Sequence, residues 1–170
     1  DPIGQAMTVT YTVDVRPAYY QIMSGDVLDD IQGTINISDA SEIFTRGISM
    51  NGPATGGWVT WGATLDGTAA NKMHDDGTHG DAVAGDSIYT VQFDYEATQT
   101  IGQEFKFGIG GGDNESGYGL NHIENIDVTS GTVASYWGSI NPNKYSAWNY
   151  DTNMPTLSID EIHTSLTPRH

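Results

Sequence analysis

An acidic loop at residues 74–90 carries the residue types and spacing that point most directly to chemistry. Its sequence, HDDGTHGDAVAGDSIYT, places four aspartates among three glycines. Glycine permits left-handed turns, so the loop can hold its carboxylates close together. Carboxylates at this density repel each other unless a cation neutralises them, and calcium binds oxygen ligands of this kind. The loop therefore predicts a calcium site. Its predicted ligands are Asp75, Asp76, Thr78 through its carbonyl oxygen, Asp81 and Asp86.

Other interpretations of the loop stay open at this point. The spacing of the aspartates does not match the calcium loop of an EF-hand. Solvated acids in a hairpin loop would give the same composition. His74 and His79 flank the first aspartates, and with Asp81 they offer a transition metal two imidazoles and a carboxylate.

Aromatic side chains form the second candidate group, because carbohydrate sites use flat rings that stack on sugar faces beside a few polar groups. The candidates are Trp58, Trp61, Trp137, Trp148, Tyr118, Tyr145 and Tyr150. Trp58 and Trp61 are three positions apart. On a strand they would face opposite sides, so one of them is expected in the core. Trp148 and Tyr150 lie in a polar segment, where a ring has less reason to be buried. The preferred platform residues are Trp58, Trp61, Trp137, Trp148 and Tyr150.

No motif in the sequence indicates catalysis. The chain has no nucleophile elbow, phosphate-binding loop or zinc-protease helix, and GIGGG at residues 108–112 does not match the dinucleotide-binding pattern. Glu115 and Glu124 could act as the paired acids of a glycosidase, and Asp113 with Glu115 could hold a second ion. We predict that the protein is not an enzyme, because a small sandwich without a cleft is a poor frame for hydrolysis.

The net charge excludes several classes of partner. The 170-residue chain has 22 acidic residues against 6 lysines and arginines, and its formal net charge is −16. Nucleic acids and anionic lipids both bind basic surfaces, so neither is expected as a partner. No apolar run is long enough to span a membrane, and membrane insertion is not expected. This acidic, cysteine-free composition is typical of a secreted bacterial protein, so we expect an extracellular or cell-surface location.

Alternating polar and apolar residues predict a chain built of short strands. The clearest are residues 7–15, MTVTYTVDV, residues 87–95 and residues 103–109. Further strands are predicted at residues 33–38, 42–50, 58–61, 63–73, 121–128 and 133–137. Residues 19–22 and 26–31 are interpreted as a short helical turn or a loop. Short strands separated by turn residues predict an all-β, antiparallel β-sandwich. We assign it to residues 1–138, followed by an extended tail at residues 139–170 that could add one edge strand.

Several segments in a fixed order resemble immunoglobulin-like β-sandwich modules. They are VTYTVDV, FTRGISMNG with Trp58 soon after it, DDGTHGDAVAGDSIYT, EFKFGI and GLNHIENIDV. Over residues 8–136 the chain is similar to starch- and glycogen-binding modules and to related modules in secreted proteins of Bacteroidota-type bacteria. The resemblance implies an immunoglobulin-like fold and a surface of the kind that binds α-glucans. Two places depart from the family pattern. An insertion separates Trp58 from the turn at residues 51–53, and His122 stands where the family has arginine.

Two functions follow from these observations. The first is a non-catalytic, calcium-binding structural subunit that assembles with copies of itself at a cell surface or in a fibre. The tail favours it, since TLSIDEIHTSL resembles the linker before the sorting domain in proteins exported by type IX secretion, and a terminal segment becomes ordered when it pairs with a neighbour's sheet edge. The predicted assembly residues are Leu157, Ile159 and Ile162. The alternative is a carbohydrate-binding module for α-glucans, attached to or working beside a secreted glycoside hydrolase.

Overall fold

The structure is a computed structural model that describes residues 1–33, 35–115, 120–140, 148–149 and 154–155. Along the chain the elements are β1 (Met7–Asp14), α1 (Arg16–Met23), α2 (Ser41–Arg46), β2 (Ile48–Asn51), α3 (Ala63–Asp66), β3 (Ile88–Tyr95), β4 (Gly102–Ile109), β5 (His122–Asn125), β6 (Thr132–Tyr136), β7 (Trp148–Asn149) and β8 (Met154–Pro155). Short 3-10 turns lie at Pro53–Thr55 and Ala69–Asn71. The described fold is predominantly β, as the sequence predicts, and none of its helices is long and apolar enough to cross a membrane.

The first sheet has the strand order β3-β1-β6, with β1 in the centre. Its alternation is confirmed, because Val9, Tyr11 and Val13 are fully buried on one face of β1. Strand β3 runs antiparallel to β1, whereas β6 runs parallel to it. The prediction of antiparallel pairing is therefore wrong at β6, which reaches β1 only after the chain has built the second sheet.

The second sheet has the order β2-β4-β5, and all of its pairs are antiparallel. Phe105 and Phe107 are fully buried at alternate positions of β4, its central strand. Lys106 lies between them and therefore projects from the opposite face of the sheet. The second sheet thus turns an aromatic face to the core and a face with a lysine away from it.

Aromatic side chains from both sheets share one hydrophobic core. The ring of Tyr11 lies 5.3 Å, centroid to centroid, from the ring of Phe105. The hydroxyl groups of Tyr11 and Tyr95 form a hydrogen bond of 2.6 Å, and the Tyr95 hydroxyl also donates to the carbonyl oxygen of Ala54. These buried polar groups are satisfied inside the core, and they tie the first sheet to the turn at Pro53–Thr55.

The strand predicted at residues 42–50 is wrong over its first half, which forms helix α2. The carboxylate of Asp39 accepts hydrogen bonds from the backbone N–H and the hydroxyl of Ser41, at 2.9 and 2.8 Å, where the helix begins. Glu42 and Arg46 then form an ion pair across one helical turn, at 2.7 Å. Local polar contacts favour the helix here over an alternating pattern, and only the second half becomes strand β2.

The strands predicted at residues 58–61 and 63–73 are also wrong. The fully buried side chain of Asn51 holds Val59 in a loop by accepting its N–H at 2.8 Å and donating to its carbonyl oxygen at 2.9 Å. Residues 63–73 contain helix α3 and a 3-10 turn, and Leu65 fills the core from α3. A buried amide that mimics a strand partner cannot be recognised from sequence spacing.

The short helical turn is present, whereas two of the weaker predicted strands are shorter in the structure than in the prediction. Residues 16–23 form helix α1, which confirms the helical interpretation of residues 19–22. Within residues 33–38, the described part contributes a single bridge between Ile37 and Leu28, and residues 121–128 contain the shorter strand β5. Strands β7 and β8 pair with each other. The predicted boundary after residue 138 stays a prediction.

Candidate binding groove and acidic loop

A groove with two tryptophans lies on the side of the second sheet that faces away from the core. We call it the tryptophan groove; its volume is about 430 Å³. Its lining includes Gln32, Trp58, Trp61, Lys106, Asp113 and Asn121. Trp58 is 47% exposed, and the centroids of the Trp58 and Trp61 rings are 6.1 Å apart with the ring planes inclined at 43°. The two rings thus form adjacent, inclined walls of one concave surface.

The position of Trp58 depends on a close approach to β4 at Gly52. Gly52 has φ +123°, and a Cβ placed there would lie 3.0 Å from the carbonyl oxygen of Glu104 and 3.4 Å from the Trp58 ring. Only glycine fits both the backbone conformation and the space. Gly52 and the Asn51 clamp on Val59 therefore set the tryptophan loop against the sheet.

A buried ion pair lies at the base of the tryptophan groove. Lys106 Nζ is 2.5 Å from Asp113 Oδ1, and both residues are 2% exposed. The ammonium group also lies 5.9 Å from the centroid of the Trp61 ring, within the range of a cation–π contact. The backbone N–H of Asp113 donates to Asp30 Oδ1 at 3.2 Å. The base of the groove is thus a covered, mutually neutralised ion pair beside an aromatic wall.

Glu115 is enclosed behind β4 and takes part in structural contacts. Its Oε1 accepts the N–H of Phe107 at 2.9 Å, and its Oε2 lies 2.7 Å from His122 Nε2 and accepts the N–H of Gly138 at 2.9 Å. The side chains of Glu115 and His122 are both 0% exposed. A carboxylate this buried has no access to a substrate, so it does not form a hydrolytic pair with Glu124 or an open second ion site with Asp113.

In the acidic loop, the carboxylates of Asp75, Asp81 and Asp86 lie within 4.8 Å of one another. We call these residues the aspartate cluster. Backbone N–H groups hold each of them: Asp75 Oδ2 accepts from Ser87 at 2.9 Å, and Asp81 Oδ2 accepts from Gly77 at 2.9 Å. The pKa of Asp75 is raised to about 6, mainly by burial and also by its contact with Asp86 and the charge of Asp81, while the hydrogen bond from Ser87 opposes the shift. The carboxylates are therefore crowded by the fold.

Asp76 and Thr78, the other two predicted calcium ligands, contact each other outside the aspartate cluster. Asp76 Oδ1 accepts hydrogen bonds from the Thr78 hydroxyl at 2.5 Å and from the Thr78 N–H at 3.1 Å. These bonds hold the pKa of Asp76 below its usual value. The Thr78 carbonyl oxygen accepts the N–H of Asp81 at 3.0 Å. The fold thus brings three of the four predicted carboxylates together and turns the fourth toward a threonine.

His74 and His79 stack face to face beside the aspartate cluster. Their ring centroids are 3.7 Å apart and their planes differ by 7°. Partial burial lowers the pKa of His74, and His79 and Lys72 lower it further, while the charges of Asp76 and Asp81 oppose this shift. The three side chains proposed from sequence as a transition-metal site are near one another, although the set within mutual ligand distance is the three aspartates.

Of the aromatic residues predicted to stack on sugar, two border the tryptophan groove, one is buried, and the others have side chains outside the described residues. The expectation that either Trp58 or Trp61 would be in the core is wrong, because both lie in a loop and border the same groove. Trp137 is 3% exposed, so its ring has no free face for a sugar. The remaining candidates have side chains outside the described residues: Trp148, Tyr118, Tyr145, Tyr150, and the assembly residues Leu157, Ile159 and Ile162.

Sequence reasoning missed the polar half of the tryptophan groove. Alternation over residues 103–109 puts Lys106 on the face opposite Phe105 and Phe107, but it does not indicate that this face forms a groove with Gln32. One signal was present: Lys106 is among only 6 lysines and arginines and lies in the middle of the strand EFKFGI.

No family model, curated protein or solved structure matches this chain.

Proposed function

We propose that this protein is a non-catalytic carbohydrate-binding module and that the tryptophan groove is its sugar site. The observation that carries this proposal is the pair of tryptophan rings, 6.1 Å apart and inclined at 43°, on one concave surface. Inclined rings can each stack on one sugar unit of a curved polysaccharide, which favours an α-glucan over a flat chain. Aromatic walls with a few polar groups are typical of small-ligand sites.

The polar groups of the groove favour a neutral sugar. Lys106 and Asp113 neutralise each other at its base, and Asn121 and Gln32 supply amide groups at its border. The buried ion pair therefore leaves no net charge at the base of the groove. The net charge of −16 would repel acidic polysaccharides from the whole surface. The finer fold belongs to the same proposal: two sheets packed as an immunoglobulin-like sandwich, in a secreted protein.

The test is titration calorimetry with soluble glycogen and maltoheptaose, with cello-oligosaccharides and a polyuronate for comparison. Saturable binding to the α-glucans is expected, and Trp58→Ala should reduce it at least ~10-fold, about 1.4 kcal/mol. Tyr136→Ala is the matched control, because Tyr136 is 38% exposed and lies on β6 in the other sheet. Binding that is absent for every polysaccharide, or equal in Trp58→Ala and wild type, would contradict the proposal.

A second proposal concerns calcium in the aspartate cluster. Three carboxylates within 4.8 Å, one of them with a raised pKa, repel each other until a cation arrives. A hard divalent ion bound there would join the start of the loop to its end before β3, and so stiffen it. This ion serves the sugar-binding module and the self-assembling structural subunit equally, and the latter stays a prediction because its assembly residues lie outside the described part of the chain.

Calcium binding is tested by calorimetry with Asp86→Asn and Asp76→Asn. Asp86 belongs to the cluster, whereas Asp76 is an exposed aspartate of the same loop that is bonded to Thr78. Loss of binding in Asp86→Asn with retention in Asp76→Asn supports the cluster. Equal affinity in both variants and the wild type would place the ion elsewhere.

A further inference from the structure

Gln32 differs from the other charged and amide side chains that line the tryptophan groove, because its amide is free to bind a ligand. Lys106 and Asp113 pair with each other and are each 2% exposed. Asn121 Nδ2 donates a hydrogen bond to Glu104 Oε2 at 3.0 Å. Gln32 is exposed, and its side-chain amide has no hydrogen-bond partner among the described residues. The groove therefore presents one unengaged amide to a ligand that lies against the tryptophan rings.

The carboxylate of Asp30 holds the backbone at Gln32 in place. Its Oδ1 accepts the N–H of Gln32 at 2.9 Å, and its Oδ2 accepts the N–H of Ile35 at 3.2 Å. The N–H of Asp30 donates to Asn36 Oδ1 at 2.7 Å. Aspartate side chains commonly stabilise turns by bonding the backbone two residues further on. Because Asp30 is only 8% exposed, water competes little for these bonds, and the turn is folded around one buried carboxylate.

The same carboxylate joins this turn to the segment that carries the base of the groove. Asp30 Oδ1 also accepts the N–H of Asp113 at 3.2 Å, and the Asp113 carbonyl oxygen accepts the N–H of Ile31 at 3.1 Å. The two segments approach so closely that a Cβ at Gly112 would lie 2.9 Å from Asp30 Oδ2. Asp30 therefore sets the position of Gln32 relative to Asp113, although the two are far apart in sequence.

We infer that Gln32 determines which sugar hydroxyl pattern the groove accepts and that Asp30 is its positioning residue; this inference rests on the proposed sugar-binding function. Stacking on Trp58 and Trp61 selects the flat face of a sugar ring but does not identify its hydroxyl groups. A sugar hydroxyl both donates and accepts hydrogen bonds, and an amide offers it a carbonyl oxygen and an NH2 group. Gln32 and the two rings line one groove of about 430 Å³, so one oligosaccharide contacts all three.

The role of Gln32 is tested by calorimetric titration with maltotriose and with its monodeoxy analogues, each of which lacks one hydroxyl group. Gln32→Ala should weaken the binding of maltotriose ~3- to 10-fold, the range expected for one neutral hydrogen bond. One analogue should show the same loss with the wild type, and Gln32→Ala should bind this analogue and maltotriose equally. Gln21→Ala is the matched control, because Gln21 is an exposed glutamine of α1 that does not line the groove.

A double-mutant cycle tests the positioning role of Asp30. Asp30→Asn replaces one acceptor oxygen by an NH2 group, so it should weaken maltotriose binding when Gln32 is present. In the Gln32→Ala background the same replacement should leave the affinity unchanged, because the contact that Asp30 positions is already absent. Asp14→Asn is the control and should keep wild-type affinity, since Asp14 is also buried and accepts a backbone N–H, from Arg16, but lies on β1. Circular dichroism shows whether each variant is folded.

The outcomes separate this inference from the proposed function. The inference is overturned if Gln32→Ala binds maltotriose as the wild type does, or if no deoxy analogue distinguishes the two proteins. It is also overturned if Asp30→Asn lowers the affinity by the same factor with and without Gln32, because the effect would then be a general one on the fold. In each of these cases, loss of binding in Trp58→Ala would still support the sugar site. A wild-type protein that binds neither maltotriose nor glycogen would overturn both.

Discussion

The tryptophan groove and the acidic loop differ in how the chain holds their functional groups. The groove collects side chains from segments far apart in sequence, from Gln32 to Asn121, where loops pack beside Lys106 of β4. The loop gathers its carboxylates within residues 75–86 and holds them with backbone N–H groups of the same segment. The geometry of the groove therefore depends on packing between distant segments, whereas the loop depends on local hydrogen bonds and on neutralisation of its charge.

The largest expected effect is at the base of the groove. Asp113→Ala should destabilise the protein by about 3–5 kcal/mol, because it removes the carboxylate partner of the buried Lys106 ammonium group. The matched control is Asp66→Ala, which breaks the Lys72–Asp66 pair whose side chains are 31% and 43% exposed. That variant should change the unfolding free energy by about 1 kcal/mol or less. Urea unfolding measures both, and equal effects would remove the contrast between buried and exposed pairs.

The next effect concerns the loop and calcium. Calcium at 100 times its dissociation constant should stabilise the folded protein by about 2.7 kcal/mol, because it binds the folded state only. Asp81→Asn should abolish this gain, since Asp81 is a member of the aspartate cluster. Thermal unfolding with calcium and then with a chelator is the measurement. Stabilisation that persists in Asp81→Asn would show that calcium acts at another site.

A glycine substitution separates backbone strain from crowding in the groove. Gly52→Ala should cost about 1–3 kcal/mol for a side chain in a left-handed conformation and also weaken sugar binding, because the new Cβ meets β4 and Trp58. Gly56→Ala also places a side chain at a positive φ, +103°, but nothing lies within 4 Å of its Cβ. We expect Gly56→Ala to reduce stability with sugar affinity unchanged. Equal loss of affinity in both would mean that strain alone disturbs the groove.

The smallest effect is a pH dependence of the loop. The pKa of Asp75 is raised from 3.8 to about 6, so the folded state binds this proton more tightly than the unfolded state. The contribution of Asp75 to stability is therefore full below pH 3.8 and is lost as the pH rises through about 6. In chelator, the difference in unfolding free energy between wild type and Asp75→Asn should change over this window.

Calcium should reverse the sign of that dependence, because a bound cation favours the ionised carboxylate. Urea unfolding at several pH values, with and without calcium, measures it. A difference between wild type and Asp75→Asn that is flat across the window in chelator would contradict the assigned environment of Asp75.

The sequence alone predicted the strands with strong alternation. Strands β1, β3, β4 and β6 follow from patterns such as VTYTV and EFKFGI, because a strand with one buried face needs apolar residues at every second position. It failed at residues 42–46 and 58–61, where the hydrogen bonds of Asp39 to Ser41 and the amide clamp of Asn51 override weak alternation. Parallel pairing of β6 with β1 leaves no local signal at all.

At the two candidate sites, too, the sequence determined some features and the tertiary structure determined others. The sequence by itself determined that aspartates and histidines lie together in one loop, because residues a few positions apart stay close in any turn. Only the tertiary structure decided that Trp58 and Trp61 border one groove, and that Lys106 and Asp113 form its base. It also decided which carboxylates converge and that the two imidazoles stack. These outcomes depend on backbone hydrogen bonds and on packing between distant segments, which residue spacing does not encode.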